Sequence, residues 1–159
     1  MSFKTADLCD HHQGKIRVVS PRLQSYGGNK VFSGRIATVK VHEDNVPVRS
    51  ALSQPGMGKV LVVDGDGSLR CALVGDQLAE LALKNNWAGI VVYGCIRDSE
   101  AIGQMPIGVL ALNTHPQKSL KKGAGEVNIP VNFGGVTFAP DHYLYADADG
   151  IVVSEKILD

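Results

Sequence analysis

Residues 70–98 read RCALVGDQLAELALKNNWAGIVVYGCIRD, and the order of patterns in this stretch decides the fold. Residues 70–74 and 89–93 are apolar runs that predict strands, the second one buried on both faces. Between them, apolar residues recur at helical spacing over 76–85. A strand, a helix and a second strand in this order predict two parallel strands joined by a right-handed crossover.

The crossover predicts that polar residues at the ends of these two strands meet. Gly75 and Asp76 follow the first strand, and Arg97 and Asp98 follow the second. Parallel strands end at the same edge of a sheet, which is where open α/β sheets bind ligands. We therefore expect one crevice lined by these four residues.

The residue types in this crevice suit a small anion beside a divalent cation. Gly75 lets the backbone approach closely, and the amides at positions 76–78 have no partners within a helix that begins here. Arg97 offers a planar fork for a carboxylate or a neighbouring keto oxygen, and Asp98 is a hard oxygen ligand for Mg²⁺ or Mn²⁺. Such a site would stabilise an enolate formed by breaking a C–C bond next to a 2-oxo acid.

Each of these charges also has a structural explanation. Asp76 could be no more than a helix N-cap, and Arg97 with Asp98 could be no more than a surface ion pair. Glu100 is most simply a solvated acid. From the residues alone, both the site and the structural explanation stay open.

The rest of the chain predicts one α/β domain over residues 1–159, built as a compact sandwich or barrel-like structure with a β-rich end. Asp64–Gly67 predicts a hairpin turn between two strands, and Thr5 is a candidate cap for the first helix. Further strands are predicted at 31–41, 59–63, 106–112, 127–133, 135–138, 142–146 and 151–153, and further helices at 6–12, 48–52 and 97–102.

The composition excludes several classes of protein. Lys plus Arg and Asp plus Glu are balanced at 16 each, so the whole surface does not predict direct nucleic-acid binding, although a local patch stays open. No apolar run approaches the roughly 20 residues of a membrane span, and the N-terminus lacks the apolar middle of a secretory signal. We therefore expect a cytoplasmic protein without a membrane segment.

Other candidate motifs are weaker. Cys9, Cys71 and Cys95 form no CxxC pair, which predicts free thiols. The run Cys9–His12 resembles a metal cluster, but adjacent histidines on a helix point in different directions. The run Asp147–Gly150 lacks the remaining ligands of a calcium loop and predicts a turn. The glycine-rich segment VVDGDGSLR suggests a methyltransferase, but Arg70 replaces the third glycine of the fingerprint and a strand follows.

Four segments of the chain resemble the RraA family, which includes the regulator of ribonuclease activity A and the class II 4-hydroxy-4-methyl-2-oxoglutarate aldolases. They read TADLCD (5–10), FSGRIATVKVHEDN (32–45), VLVVDGDGSLRCALVGDQLAELALKNNWAGIVVYGCIRD (60–98) and VNFGGVTFAPDHYLYADADGIVVSE (131–155). The resemblance implies a swivelling β/β/α-type domain that assembles as a homotrimer. It also implies pyruvyl aldolase and oxaloacetate decarboxylase activity that depends on a divalent metal such as Mg²⁺ or Mn²⁺.

The aldolases of this family share a glycine, then twenty-one residues that begin with an acid, then Arg-Asp, and this chain matches that pattern. The resemblance implies that Arg97 binds the pyruvyl group and that Asp98 holds the metal, partly through waters. Asp76 would orient a water for proton transfer. The implied substrate-binding residues are Gly75, Asp76, Gln77, Leu78 and Arg97.

One position departs from the aldolase pattern. The aldolases place an acid three residues after the metal-binding Asp, and here that position is Ala101, preceded by Glu100. Neighbouring residues on a helix differ in direction by about 100°, so Glu100 is at best a partial substitute. This weakens the expectation of aldolase activity more than that of simple decarboxylation. The alternative function is inhibition of ribonuclease E by protein binding, for which the retained Asp98 is not needed.

Overall fold

The predicted strand–helix–strand unit lies at the centre of a mixed sheet. The structure is a computed structural model that describes residues 2–20 and 23–159; Met1, Pro21 and Arg22 of the predicted 1–159 domain lie outside the described residues. The helices are α1 (Thr5–His11), α2 (Val46–Leu52), α3 (Asp76–Lys84) and α4 (Ser99–Ile102). The strands are β1 (Ile16–Val18), β2 (Gln24–Ser25), β3 (Phe32–Lys40), β4 (Val60–Asp64), β5 (Ala72–Val74), β6 (Gly89–Ile96), β7 (Gly108–Thr114), β8 (Glu126–Val127), β9 (Val131–Phe133), β10 (Val136–Phe138), β11 (Tyr143–Asp147) and β12 (Gly150–Ser154).

The crossover from β5 through α3 to β6 is confirmed. The two strands are parallel, with Ala72 opposite Cys95 and Val74 opposite Ile96. Strands β3, β4 and β7 are also parallel to this direction, because β3 pairs with β4, β4 with β6 and β6 with β7. The carboxyl ends of all these strands therefore lie at one edge of the sheet.

The predicted hairpin at Asp64–Gly67 is wrong. Strands β4 and β5 do not pair with each other; both run parallel to β6, β4 along Gly89–Tyr93 and β5 further along, at Cys95 and Ile96. The turn itself forms, and the amides of Gly65 and Gly67 both donate to the carbonyl of Tyr93 at 3.1 Å. The chain thus leaves the sheet after β4 and returns to the same side of β6 as a second short strand.

The sheet separates a helical layer from a β layer. In β6, Ile90 and Val92 pack towards α2, α3 and α4, whereas Val91 packs on the opposite face, as the twofold period of a strand dictates. That opposite face is covered by β9, β10 and the β11–β12 ribbon, where the Phe133 ring stacks on Tyr93 at a centroid distance of 4.6 Å. The single-domain α/β sandwich predicted from the sequence is confirmed, with the β, β and α layers that the family resemblance implies.

Several local predictions are corrected. Thr5 is the first residue of α1 and not its cap; its amide and hydroxyl donate to the Asp147 carboxylate at 2.7 and 2.6 Å. The predicted strand 127–133 is divided into β8 and β9, and strands β1 and β2 were not predicted. Within the described residues, no helix is both long and apolar enough to cross a bilayer.

Candidate active site

The two strand ends that were predicted to converge are joined by a backbone hydrogen bond. The amide of Arg97, just after β6, donates to the carbonyl of Val74, the last residue of β5, at 2.9 Å. Gly75 and Arg97 are therefore neighbours across the sheet, although twenty-two positions separate them in the sequence. The edge of the sheet brings the start of α3 and the Arg-Asp pair together.

Asp98 is the residue that caps α3. Its Oδ2 accepts a hydrogen bond of 3.0 Å from the amide of Asp76, the first residue of that helix. The cap position itself is Gly75, which has no side chain, so Asp76 is not an N-cap. The helix dipole also favours a carboxylate at a helix N-terminus, so both the hydrogen bond and the dipole stabilise Asp98 at this position.

Gly75 is needed because the Asp98 carboxylate occupies the space where a side chain would lie. A Cβ at position 75 would be 2.7 Å from Asp98 Oδ2 and 3.5 Å from Arg97 Nε. Gly75 has an extended conformation, so the absence of a Cβ matters here through contact and not through backbone freedom.

The backbone of Asp98 adopts an unusual conformation. Its φ and ψ angles are 58° and 38°, in the left-handed region that few residues other than glycine, Asn and Asp adopt. Residues held in this way are frequent at functional sites. Here the conformation turns the chain sharply between β6 and α4, and the Asp98 side chain remains exposed to solvent.

Arg97 is half-buried, and its guanidinium is only loosely held. Its Nη1 donates to the carbonyl of Pro116 over a long distance of 3.4 Å. A guanidinium has five N–H donors, so most of the fork remains for an anionic ligand. The stem of the side chain lies beside Gly75, at the start of α3, and the guanidinium reaches towards Pro116.

The three residues at the start of α3 present different groups to this crevice. Asp76 is half-buried and Gln77 is exposed, whereas the Leu78 side chain is buried in the core, so that only its backbone is relevant to a ligand. The first hydrogen bond within the helix joins the Ala79 amide to the Gly75 carbonyl. The amides of Gln77 and Leu78 thus precede that bond, while the Asp76 amide is engaged by Asp98.

Glu100 and Ala101 lie on α4, immediately beyond the Arg-Asp pair. Both are exposed, and α4 is a single turn that ends at Ile102. Ala101 contributes no carboxylate at the position where the aldolase pattern has one. The acids that remain beside the two strand ends are therefore Asp76, which is placed by the start of α3, and Asp98, which is placed by the end of β6.

The residues that follow β7 also line the crevice, beside the ends of β5 and β6, and this was not predicted from the sequence. Strand β7 is parallel to β6, so its end also lies at this edge, and the His115 amide donates to the Ile96 carbonyl at 2.9 Å. The residues after β7 then approach β5, where the Ala72 amide donates to the Gln117 carbonyl at 2.8 Å. Extending the parallel-strand argument to 106–112 would have placed His115 beside Arg97.

The loop that leads into β5 is anchored by Glu43. One of its carboxylate oxygens accepts hydrogen bonds from Arg70 Nε at 2.7 Å and from the Ser68 hydroxyl at 2.6 Å. These bonds, above all the one from Arg70, lower the pKa of Glu43 from 4.5 to about 2. Because residues 65–71 are what places β5 beside β6, this acid helps to position the crevice.

The residues present fit a divalent cation that takes most of its ligands from elsewhere. In the described part of the chain, no group of three or more His, Cys, Asp or Glu side chains could form a cage around a metal. Mg²⁺ usually keeps several waters and takes one or two protein carboxylates together with substrate oxygens. Asp98 meets that requirement, since its carboxylate is exposed and the cap engages only Oδ2.

The weaker sequence candidates lie elsewhere. The three cysteines are free, and burial raises the pKa of the Cys71 and Cys95 thiols. The predicted turn after Asp147 is present. His12 lines a polar cleft of about 820 Å³ formed with the C-terminal residues, and this cleft contains none of the residues at the Gly75–Asp98 edge.

Comparison with known proteins gives consistent matches along the whole chain. The profile of the RraA-like family, described as Aldolase/RraA, matches residues 5–153. A protein from Aromatoleum aromaticum, provisionally named 4-hydroxy-4-methyl-2-oxoglutarate aldolase, is 65% identical over 158 residues that cover 99% of each chain. A protein from Dechloromonas aromatica with the same provisional name is 62% identical over 162 residues, again covering 99% of each chain.

Two solved structures have nearly the same fold. One is described as an S-adenosylmethionine:2-dimethylmenaquinone methyltransferase from Geobacillus kaustophilus; it is 54% identical, has a TM-score of 0.97 and covers 98% of this chain and 97% of its own. The other is described as the RNA-processing inhibitor RraA from Thermus thermophilis; it is 43% identical, has a TM-score of 0.96 and covers 100% of this chain and 96% of its own.

The Glu43 anchor predicts a component of acid sensitivity. The folded carboxyl binds its proton less tightly than the unfolded one, so the stabilisation is present above pH 4.5 and is lost as the pH falls towards about 2. We expect the free energy of unfolding of Glu43→Gln, measured by urea denaturation, to fall less steeply over this range than that of the wild type. Glu80→Gln, an exposed acid on α3, is the control and should keep the wild-type slope. Equal slopes for the wild type and Glu43→Gln would contradict the assignment.

Proposed function

We propose that this chain, which belongs to the RraA-like family, is a metal-dependent C–C lyase. Its substrates are 4-hydroxy-4-methyl-2-oxoglutarate, which it cleaves to two molecules of pyruvate, and oxaloacetate, which it decarboxylates. The observation that carries the proposal is the position of Arg97 and Asp98 at the N-terminal end of α3, beside a glycine that leaves the backbone accessible.

The start of α3 and Arg97 bind the pyruvyl end of the substrate. The amides of Gln77 and Leu78 point out of a helix N-terminus, where a carboxylate is favoured by both hydrogen bonding and the helix dipole. The Arg97 fork lies across the same opening and donates to the carboxylate or to the 2-oxo oxygen. When C–C cleavage moves charge onto that oxygen, the guanidinium is already in place to stabilise it.

Asp98 is the residue that would hold the divalent cation, Mg²⁺ or Mn²⁺, beside the pyruvyl end of the substrate. When bound, the cation supplies a positive charge that stabilises the enolate developing in the transition state. Asp98 is oriented for this purpose by its hydrogen bond to the Asp76 amide and by the sharp turn at its own backbone.

Asp76 is the acid that would move protons through a water. In the aldol cleavage, the base removes the proton from the C4 hydroxyl, the bond between C3 and C4 breaks, and the enolate is then protonated at C3 to give pyruvate. Because Ala101 supplies no carboxylate, this task falls to Asp76 and water. Decarboxylation of oxaloacetate needs no base at a hydroxyl, so we expect it to depend less on Asp76.

We propose that the chain assembles as a homotrimer. Leu69 and Leu120 are 55% and 56% exposed, and both lie in segments that border the crevice, Leu69 in the loop before β5 and Leu120 next to Glu43. A second copy that covers these apolar side chains would also close the open edge of the site. Sedimentation equilibrium that gives the mass of a single chain at micromolar concentration would exclude this assembly.

The geometry favours C–C cleavage over methyl transfer, the activity in the description of the Geobacillus protein. The amides of Gly65 and Gly67 are already bonded to Tyr93, and a strand follows them. They are therefore not available to hold a cofactor in the manner of a glycine-rich loop that opens a helix.

The lyase proposal predicts large losses for changes at Arg97 and Asp98. We expect Arg97→Lys and Asp98→Asn to lower kcat for pyruvate release from oxaloacetate by about 10²-fold or more. The first change replaces the planar guanidinium fork by a single ammonium group, and the second removes the carboxylate charge that would hold the cation. The measurement is a coupled pyruvate assay with added Mg²⁺, and a chelator should abolish the wild-type activity. Asp10→Asn, an exposed acid on α1, is the control. Unchanged turnover in both site variants would refute the mechanism.

A second candidate function is protein binding to ribonuclease E, which the 43% identity to the RNA-processing inhibitor favours. Such binding uses the outer surface and needs no cation, so Asp98→Asn should bind as well as the wild type. Pull-down with purified ribonuclease E, with and without chelator, measures this directly. Retention of the wild type and of Asp98→Asn, together with no pyruvate release, would favour regulation; no retention would leave the lyase.

A further inference from the structure

Residues 115–118, which follow β7, form a wall of the crevice that is tied to both strands carrying the proposed site. The His115 amide is bonded to Ile96 at the end of β6, and the Gln117 carbonyl accepts the amide of Ala72 in β5. The carbonyl of Pro116 is the partner of the Arg97 guanidinium. This segment is thus held beside Arg97 by backbone hydrogen bonds and does not depend on flexible side chains.

The imidazole of His115 is oriented by the same segment. The backbone amide of Gln117 lies 3.1 Å from His115 Nδ1. An amide can only donate, so Nδ1 accepts, and the neutral ring carries its proton on Nε2. The ring is half-buried, and its free donor, Nε2–H, is the atom that the hydrogen bond leaves for a ligand.

This segment and the four residues after it contain several lysines. Residues 115–122 read HPQKSLKK, with three lysines and no acid. Lys121 is fixed by a hydrogen bond of 2.9 Å to the Asn45 side chain, and Lys118 is exposed next to Gln117. Lys121 and Lys122 lie beside Asn45 and the Asp44 carboxylate, so Lys118 is the lysine of this run that adds positive charge next to the wall formed by residues 115–118.

We infer that His115 Nε2–H binds the second carboxylate of a dicarboxylic 4-hydroxy-2-oxo acid, the one that stays on the leaving half of the molecule. This inference rests on the proposed lyase function and names the residue that recognises the second carboxylate of its substrate. The pyruvyl end occupies Arg97 and the start of α3, so the rest of the substrate extends along the neighbouring wall. A charge-assisted hydrogen bond from a fixed imidazole, with Lys118 nearby in the chain, selects a carboxylate on C4 over the hydrogen that a monocarboxylic substrate carries there.

Two substitutions separate ligand binding from a purely structural role of His115. An Asn side chain can place its oxygen near the Nδ1 position and accept the Gln117 amide, but it has no donor near Nε2. A Gln side chain can place an N–H donor near Nε2. A histidine that only shapes the loop is thus better replaced by Asn, and one that binds substrate is better replaced by Gln.

The experiment compares kcat/KM for 4-hydroxy-4-methyl-2-oxoglutarate with kcat/KM for the monocarboxylic 4-hydroxy-2-oxopentanoate, at saturating Mg²⁺. We expect the ratio of the two values to fall at least about tenfold in His115→Asn and His115→Leu, as for loss of a hydrogen bond to a charged group. His115→Gln should keep the ratio within about threefold of the wild type. His11→Leu, on the exposed face of α1, is the control, and circular dichroism checks that each variant is folded.

The outcomes distinguish this inference from the function on which it rests. If the wild type releases pyruvate from both substrates and all His115 variants keep the wild-type ratio, the inference is wrong and the lyase proposal stands. If Asn keeps the ratio and Gln loses it, His115 only shapes the loop, and the inference is again wrong. If the wild type releases pyruvate from neither substrate with Mg²⁺ or Mn²⁺, both proposals fail together.

Discussion

The site depends on the placement of β5 against the second half of β6. Strand β4 occupies the first half of that side of β6, and the chain leaves and returns within residues 65–71 to continue along the same side. The hydrogen bond from the Arg97 amide to the Val74 carbonyl closes this arrangement. Without it, Gly75 and the start of α3 would not meet the residues that follow β6, and neither the Asp98 cap nor the proposed anion-binding site would form.

Capping by aspartate recurs in this fold, and comparison of the caps shows what distinguishes Asp98. Asp147, Asp44 and Asp98 accept the amide of the first residue of α1, α2 and α3 respectively. Asp44 is buried, which would raise the pKa of its carboxyl, but hydrogen bonds from backbone amides outweigh burial and lower that pKa. Asp147 accepts a hydroxyl and a second amide as well. Asp98, by contrast, is exposed, so its carboxylate can serve as a cap and still reach a ligand.

The sequence predicted the convergence because hydrophobic period and crossover handedness are local and strongly constrained properties. The hairpin prediction failed because residues 64–67 determine only the turn. The pairing of β5 depends on the part of β6 that β4 leaves unpaired, and that part lies more than twenty residues further along the chain. The hydrogen bond by which Asp98 caps α3 at Asp76 could not be predicted for the same reason, since it joins residues that are distant in the sequence. His115 was missed because the orientation of β7 was not carried through to the residues after its end.

The charges of the proposed site indicate that the cation binds before the anionic substrate. Arg97 contributes one positive charge, and Asp76 and Asp98 contribute two negative charges, so these three side chains together carry a net charge of minus one. A dicarboxylic 2-oxo acid carries two negative charges and would be held only by the local fields of Arg97 and the α3 dipole. The divalent cation proposed at Asp98 would reverse this sign, and Lys118, which follows Gln117, would add to the attraction. The fold thus supplies precise direction for the anion, while the proposed cation supplies the charge that makes its binding favourable.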